Sequence, residues 1–303
     1  MIRFISRRIT FIILVSLLII FATQLGMRMI RNSEVNQPNF NLVLQSKLAW
    51  RDTSAYLTDA LQGNLGYIQE AYGLVRVRAI LKEAYVNSMG LLLVAILCAI
   101  VVGISAGVFA AMTKHKSIIL PLLMLTILGI STPSFFAGLL LRQGEIYYLR
   151  AFGHPLVSIA GFGWDYKHML LPALVLMAYP VAYLTRATFL AFDRVMEEDF
   201  VRTAYSKGLT HTRTVNIHAS KNIAIPILTA IGVSLRYSLS TLPIVEFFFL
   251  WPGMGLLMLE AIDKRQTDLV VSLALALGLT FLIINLTLDI LYRFIDPRVR
   301  EQS

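Results

Sequence analysis

Few residues that carry chemistry in proteins are grouped in this sequence in a way that could run a reaction. No G-x-x-x-x-G-K-[ST] phosphate loop, H-E-x-x-H zinc motif or G-x-S-x-G nucleophile elbow occurs in its 303 residues. Nucleotide binding, metalloprotease chemistry and serine acyl transfer therefore lack their constellations. Cys98 is the single cysteine and sits in an apolar run, which excludes an internal disulfide or a cysteine-based metal site and leaves packing. His154 and His168 are the candidates for a metal site, but without a carboxylate cluster beside them they make a poor one. What remains are ionisable residues in apolar surroundings: Arg142 and Glu145, Arg186, Arg236, Glu246 and Asp289.

The elements that position them follow from composition. The chain is 57% hydrophobic and 15% charged, with mean hydropathy +0.69 and net charge +9. An ordinary soluble enzyme needs a more polar surface, and a disordered chain needs less apolar residue content. The basic residues are dispersed in short segments between apolar stretches, a pattern that sets membrane orientation rather than binding nucleic acid.

A hydrocarbon layer of about 30 Å takes roughly 20 helical residues to cross, and six stretches qualify: 9–29, 86–112, 118–141, 169–190, 223–250 and 270–292. Only helices satisfy such backbones in lipid, so the expected fold is an all-α integral membrane protein with six transmembrane helices. With both termini in the cytoplasm, the short internal segments hold 13 Lys and Arg, a higher density than outside, as the positive-inside rule requires. The first stretch has a basic start but no small-x-small cleavage site after it, and is read as a retained helix. The expected organisation is a cytoplasmic tip and first span (1–29), an external cap (30–85) with a turn at Gly63-Asn64-Leu65-Gly66, a five-helix core (86–292) and a cytoplasmic tail (293–303).

Ionisable groups at membrane depth face a cavity or a partner. Arg142 and Glu145 lie three apart on one helix face. Two readings stand: an early exit of the third span with a surface ion pair, or a pair lining the pathway. Glu246, near the outer end of span five, has backbone donors of the following loop or Arg236 as expected partners. Arg236 alternatively faces the inner cavity. Asp289 is placed to pair with Arg293 at i+4, and Arg186 to snorkel to the interface. Gly103 and Gly107 form a small-x-x-x-small face that lets helices approach closely.

The internal connection 191–222 is too long for a turn. A short amphipathic helix through Asp199-Phe200-Val201-Arg202-Thr203-Ala204-Tyr205-Ser206-Lys207 is expected to end at Gly208, a residue that tolerates the left-handed cap conformation. A second helical piece starts near Thr210 or Thr212 and runs toward Pro226. A DNA-reading helix-turn-helix and a solvated loop share this outline, but its place between two spans suits a stiff element pushed by a partner.

This stretch, from Glu198 to Leu209 and on through His218-Ala219-Ser220-Lys221-Asn222-Ile223-Ala224-Ile225-Pro226, resembles the ATPase-coupling loop of bacterial ABC importer permeases. The likeness is to the dipeptide, oligopeptide and nickel branch. Ser131-Thr132-Pro133-Ser134-Phe135-Phe136, Leu170-Leu171-Pro172-Ala173-Leu174, Val245-Glu246 with Trp251-Pro252-Gly253-Met254-Gly255, and Asp296-Pro297-Arg298-Val299-Arg300 carry it further, in order, across almost the whole chain.

The resemblance implies an ABC importer type I permease fold in the bacterial inner membrane and a non-catalytic subunit forming half of a pathway for short peptides. It implies as partners two ATP-binding cassette ATPase subunits, a second homologous permease chain and an extracytoplasmic substrate-binding protein. ATP and Mg are expected on the ATPases and no cofactor on this chain. Asp199, Arg202, Thr203, Ala204, Lys207, Gly208 and Leu209 become the ATPase-coupling residues, with Ala204 thinning the docking face and Gly208 allowing the turn. Arg142, Glu145, Arg236 and Glu246 are the pathway or gate candidates. Pro133, Pro172, Pro226, Trp251, Pro252 and Gly253 are the structural motif residues. Nickel or another small solute is the alternative cargo, and a gradient-driven secondary transporter or channel the alternative class. The latter needs intramembrane carboxylates or paired broken helices.

Overall fold

The computed structural model describes residues 2–33, 41–70, 73–113, 115–208 and 220–295. In chain order these form α1 (Ile2–Ser33), α2 (Leu42–Leu61), β1 (Tyr67–Glu70), β2 (Gly73–Arg76), α3 (Val77–Met112), α4 (Lys116–Ser131), α5 (Ser134–Phe152) and α6 (Tyr166–Met196). They continue with α7 (Asp199–Ser206), α8 (Ser220–Phe249), α9 (Met254–Asp263) and α10 (Thr267–Ile295).

Among the described residues, five helices are long and apolar enough to cross a membrane: Phe4–Arg31, Val77–Met112, Tyr166–Met196, Asn222–Phe249 and Thr267–Arg293. The third expected span is not a straight rod. α4 and α5 meet at a bend of 110°, and α5 runs on to Phe152, where Gly153 closes it at φ 76°. A helix therefore does not pass straight through 118–141, and α5 continues past Arg142. Pro133 is the cause: it lacks an N–H, and it forces the preceding Thr132 to an extended conformation, φ −82° and ψ 118°.

The chain divides into two compact units, residues 1–89 with 250–286 and residues 90–249 with 287–303. In the first unit α1 packs along α2. Arg28 donates to Asp52 (Nε to Oδ2, 2.7 Å), and Phe21 meets Trp50 edge-on at 6.0 Å. Asn41 caps α2 by accepting from Leu44 N–H at 3.1 Å. The expected turn at residues 63–66 is present, with Gly63 and Gly66 at φ 79° and 88° and the Asn64 side chain accepting from Gly66 N–H.

That turn leads into an element absent from the all-helical expectation, an antiparallel hairpin pairing Tyr67 with Arg76 and Ile68 with Val75. α3 then starts at Val77, nine residues before its expected boundary. Those turns are amphipathic: Val77 and Ala84 are buried while Arg78, Lys82 and Glu83 are exposed, so the helix forms on protein rather than in lipid. At 36 residues it is about 54 Å long, well beyond the hydrocarbon layer.

Residues 250–286 close this unit's core. Trp251 is fully buried and donates its indole N–H to Asn87 O (3.1 Å), while Asn87 Nδ2 donates to Pro252 O (3.0 Å). Ser88 Oγ accepts from Met254 N–H at 2.7 Å, fixing the start of α9, for which Gly253 supplies no side-chain cap. The expected helical piece after Pro252-Gly253 is α9. Tyr56 and Ser272 share a hydrogen bond of 2.9 Å. Burial pushes the Tyr56 hydroxyl above its ordinary value, so it keeps its proton.

The second unit is built around α6, which packs most extensively on α8 and then on α4 and α5. Close approach is bought with glycine. A Cβ at Gly103 of α3 would lie 2.7 Å from Leu184 Cβ, and one at Gly107 would lie 2.6 Å from Thr185 O. On α4, Gly129 meets Ala182 in the same way, at 2.7 Å. The Gly103/Gly107 face thus seats α3 on α6 within this chain. Asp165 caps α6, accepting from Lys167 and His168 N–H at 2.8 and 3.2 Å. Its hydrogen bond with the His168 ring holds the carboxyl below its ordinary value, so the charged cap persists above that value and is lost as pH falls through the lowered one.

Candidate functional site

The connection between α6 and α8 starts with α7, whose eight residues have two faces. Val201 and Ala204 are buried, while Asp199, Phe200, Arg202, Thr203 and Lys207 are exposed. Their spacing of three places Val201 and Ala204 on one stripe. This corrects the reading of Ala204: it thins the face turned into the chain, not the open one. The open face offers Phe200, 38% exposed, flanked by Thr203 and Lys207 one and two turns on. Phe200 stands in the recognised stretch but was not singled out by sequence; an exposed aromatic in an amphipathic helix was the available signal.

Two hydroxyls bond back onto the α7 backbone. Thr203 Oγ1 and Ser206 Oγ donate to Asp199 O and Arg202 O, each at 2.9 Å, and Asp199 lies in the first turn, where a negative charge suits the helix dipole. The helix stops at Gly208, whose φ of 78° is left-handed, with open space around its α-carbon. Leu209 and the expected second helical piece, 209–219, lie outside the described residues.

Both ends of the connection enter one small apolar cluster. Ala191, Phe192 and Ile223 are buried together, with Val108, Ala111, Val195 and Ile227 packed against them. The cluster joins α3, α6 and α8 beside the connection. Further along, Ser238 Oγ donates to Leu176 O at 3.3 Å and Tyr237 stacks on Tyr179 with centroids 3.7 Å apart. As the number on α8 rises, that of its neighbour on α6 falls, so the helices are antiparallel and Arg236 stands level with Tyr179.

Tyr183 extends the stack, 5.7 Å from Tyr179 and tilted by 8°. Three tyrosines thus form a row near the middle of two membrane helices. Sequence reading missed them, since Tyr237 is far along the chain from Tyr179, although Tyr179, Tyr183 and Arg186 at i, i+4 and i+7 already mark one polar stripe.

The remaining candidates are placed as follows. Arg142 and Glu145 do not pair. Arg142 Nη1 donates to Phe248 O at 3.3 Å, with its guanidinium 5.1 Å from the Phe248 ring centroid. Glu145, 6% exposed, accepts from Leu156 and Val157 N–H at 2.6 and 3.1 Å. The two side chains tie α5 to α8 and to the loop before α6. Glu145→Leu strands the buried Val157 N–H, at about 1–3 kcal/mol, and the part-buried Leu156 N–H. We expect it to lower the Tm of the purified protein by several degrees, with Glu145→Gln, which keeps an acceptor, losing less than half as much.

Glu246 is fully buried in α8. Arg236 lies ten residues, about 15 Å, earlier on the same helix and is not its ion-pair partner. Pro172 and Pro226 lie inside α6 and α8. Among the described residues no group of three or more His, Cys, Asp or Glu is placed to hold a metal ion.

A helix bundle of five or six spans with a short amphipathic helix slung between two of them now meets its relatives. Residues 99–301 match the family described as "Binding-protein-dependent transport system inner membrane component". The chain is 31% identical over 249 residues to the glutathione transport system permease protein GsiC of Escherichia coli O6:H1 (strain CFT073), covering 81% of this chain and 78% of the relative. It is 30% identical to that of strain K12 over the same shares, and 31% identical over 255 residues to that of Salmonella paratyphi A, covering 83% and 78%. Permeases of this family work with ATPase and binding-protein partners and are not themselves catalytic. The chain belongs to the binding-protein-dependent inner membrane components: it is a multi-pass permease subunit of an ABC importer, with the type I permease fold.

Proposed function

We propose that this permease carries short peptides inward, and that α7 is the lever through which two ATPase subunits drive it. The observation that supports this most is the build of α7: a half-open helix with Phe200 outward, ended by a left-handed Gly208, in a connection whose flanking helices α6 and α8 meet α3 in one apolar cluster. Closure of the ATPases around ATP and Mg, both held by those partners, pulls on α7 and tilts α6 against α8, alternating access between the two faces. A second, similar permease chain supplies the other half of the pathway, both termini of this chain lie in the cytoplasm, and an external binding protein delivers cargo. The relatives' printed names concern glutathione, a tripeptide, which favours peptides over a nickel chelate.

Reconstitution in vesicles with the partner permease, both ATPases and the binding protein tests this. We expect tripeptide uptake that needs ATP on the ATPase side, stops with vanadate and persists with an ionophore. Uptake of nickel chelate but no peptide overturns the cargo. Uptake that ignores vanadate and collapses with the ionophore makes the chain a gradient-driven carrier.

A further inference from the structure

Exposed surface on a single membrane chain meets either lipid or the pathway and its partners, and side-chain chemistry separates the two. Along the apolar middle of α3 and α4 the exposed large side chains are Leu93, Leu97, Val101, Leu120, Leu125 and Leu128. The α6/α8 pair differs. Its part-exposed row at mid-span holds Tyr179, Tyr183 and Tyr237, with Arg236 level with Tyr179 and Arg186 two turns from it along α6.

Arg236 is the focus of this row. Its Nε is sealed from solvent and has no hydrogen-bond acceptor, and among the described residues no carboxylate lies within ion-pair distance of it. A guanidinium keeps its charge under any physiological condition. Arg236 as a whole is part-exposed, and in the middle of a span such a charge is stable only beside water or an anion that arrives from elsewhere. The tyrosine row that starts at its neighbour in the chain, Tyr237, offers a flat surface on which planar amide groups can stack.

Resting on the peptide-permease reading, we infer that Arg236, beside the Tyr179–Tyr183–Tyr237 row, is the station in this half of the pathway that receives the carboxylate of the passing substrate. The guanidinium fork matches a carboxylate in shape and charge. Substrates lacking a carboxylate pass without that contact. The competing source of an anion is a Glu or Asp of the second permease chain, in which case Arg236 holds the assembly together.

Two readouts in the complete vesicle-reconstituted transporter decide it. The first needs no transport: Ser240→Cys, an exposed position one turn from Arg236, in a Cys98→Ala background, is treated with anionic and cationic methanethiosulfonate reagents. We expect both to react from water, with the anionic-to-cationic rate ratio falling at least about fivefold when Arg236→Gln is added. No reaction with or without ATP and vanadate, or an unchanged ratio, overturns the station.

The second compares uptake of a tripeptide with that of its C-terminal amide, each as variant over wild type so that the binding protein's own preference cancels. Arg236→Gln should cut uptake of the acid by about tenfold or more and that of the amide less than about twofold, with Arg236→Lys between. Equal losses, or failure of the Arg236→Gln complex to assemble where Arg236→Lys succeeds, overturn carboxylate recognition in favour of a subunit contact. A wild type that imports neither tripeptide refutes the peptide reading alone, and the labelling ratio then decides whether Arg236 attracts anions in the pathway.

Discussion

Gly208→Val should leave the complex assembled and hydrolysing ATP while uptake in the same vesicles falls by about tenfold or more. The residue sits at φ 78° with open space around it, so the effect comes from backbone conformation and not from collision. A β-branched side chain in the left-handed region costs on the order of 1–3 kcal/mol, and 1.4 kcal/mol already shifts a local equilibrium about tenfold. Relief comes by unwinding the turn that ends α7, which loosens the lever without touching the spans. Gly208→Asn is the control, because Asn accepts that conformation far better than Val; it should retain most of the uptake. Wild-type uptake by the valine variant would show that the turn transmits nothing.

The second large effect is on stability. Gly107→Leu should prevent recovery of folded protein, and even Gly107→Ala should lower the Tm measurably. A single added carbon there meets Thr188 Cβ at 2.5 Å and Thr185 O at 2.6 Å. The second is backbone and cannot rotate away, so α3 must separate from α6. Overpacking of this kind costs about 1–3 kcal/mol and more for larger side chains. Gly144→Ala in α5 has nothing within 4 Å and supplies the contrast: removing a helix-interior glycine into open space is worth up to about 1 kcal/mol in favour of the variant. Equal melting curves for Gly107→Ala and Gly144→Ala would contradict the packing.

The candidate spans and the short helix α7 were legible because each has a local cause. Lipid demands about 20 apolar residues in a row, and an amphipathic run closed by glycine marks a short helix wherever it occurs. Features that depend on pairing across the fold were not. Arg142 and Glu145, three apart, suggested each other, yet their partners stand 106 and 11 residues away. The tyrosine row exists only because α6 and α8 run antiparallel in one register. Ala204 was assigned to the wrong face because a small residue serves close packing on either side of a helix, and only the burial of Val201 beside it resolves which. The bend at Pro133 was written in the sequence as Ser131-Thr132-Pro133-Ser134, but that dip is only four residues long and apolar residues flank it on both sides, so a span-length stretch runs across it. The first turns of α3 were overlooked for the opposite reason, since they are charged on one side and rest on protein.

The central claim is that the open face of α7 is worked by a separate ATPase. Placing a photo-crosslinking residue at Phe200 in the assembled, hydrolysing transporter tests this directly. The account predicts a covalent product with the ATPase subunit whose yield changes between nucleotide-free and vanadate-trapped states. A transporter that hydrolyses ATP and imports its cargo while Phe200 links only to lipid or to this same chain would contradict it.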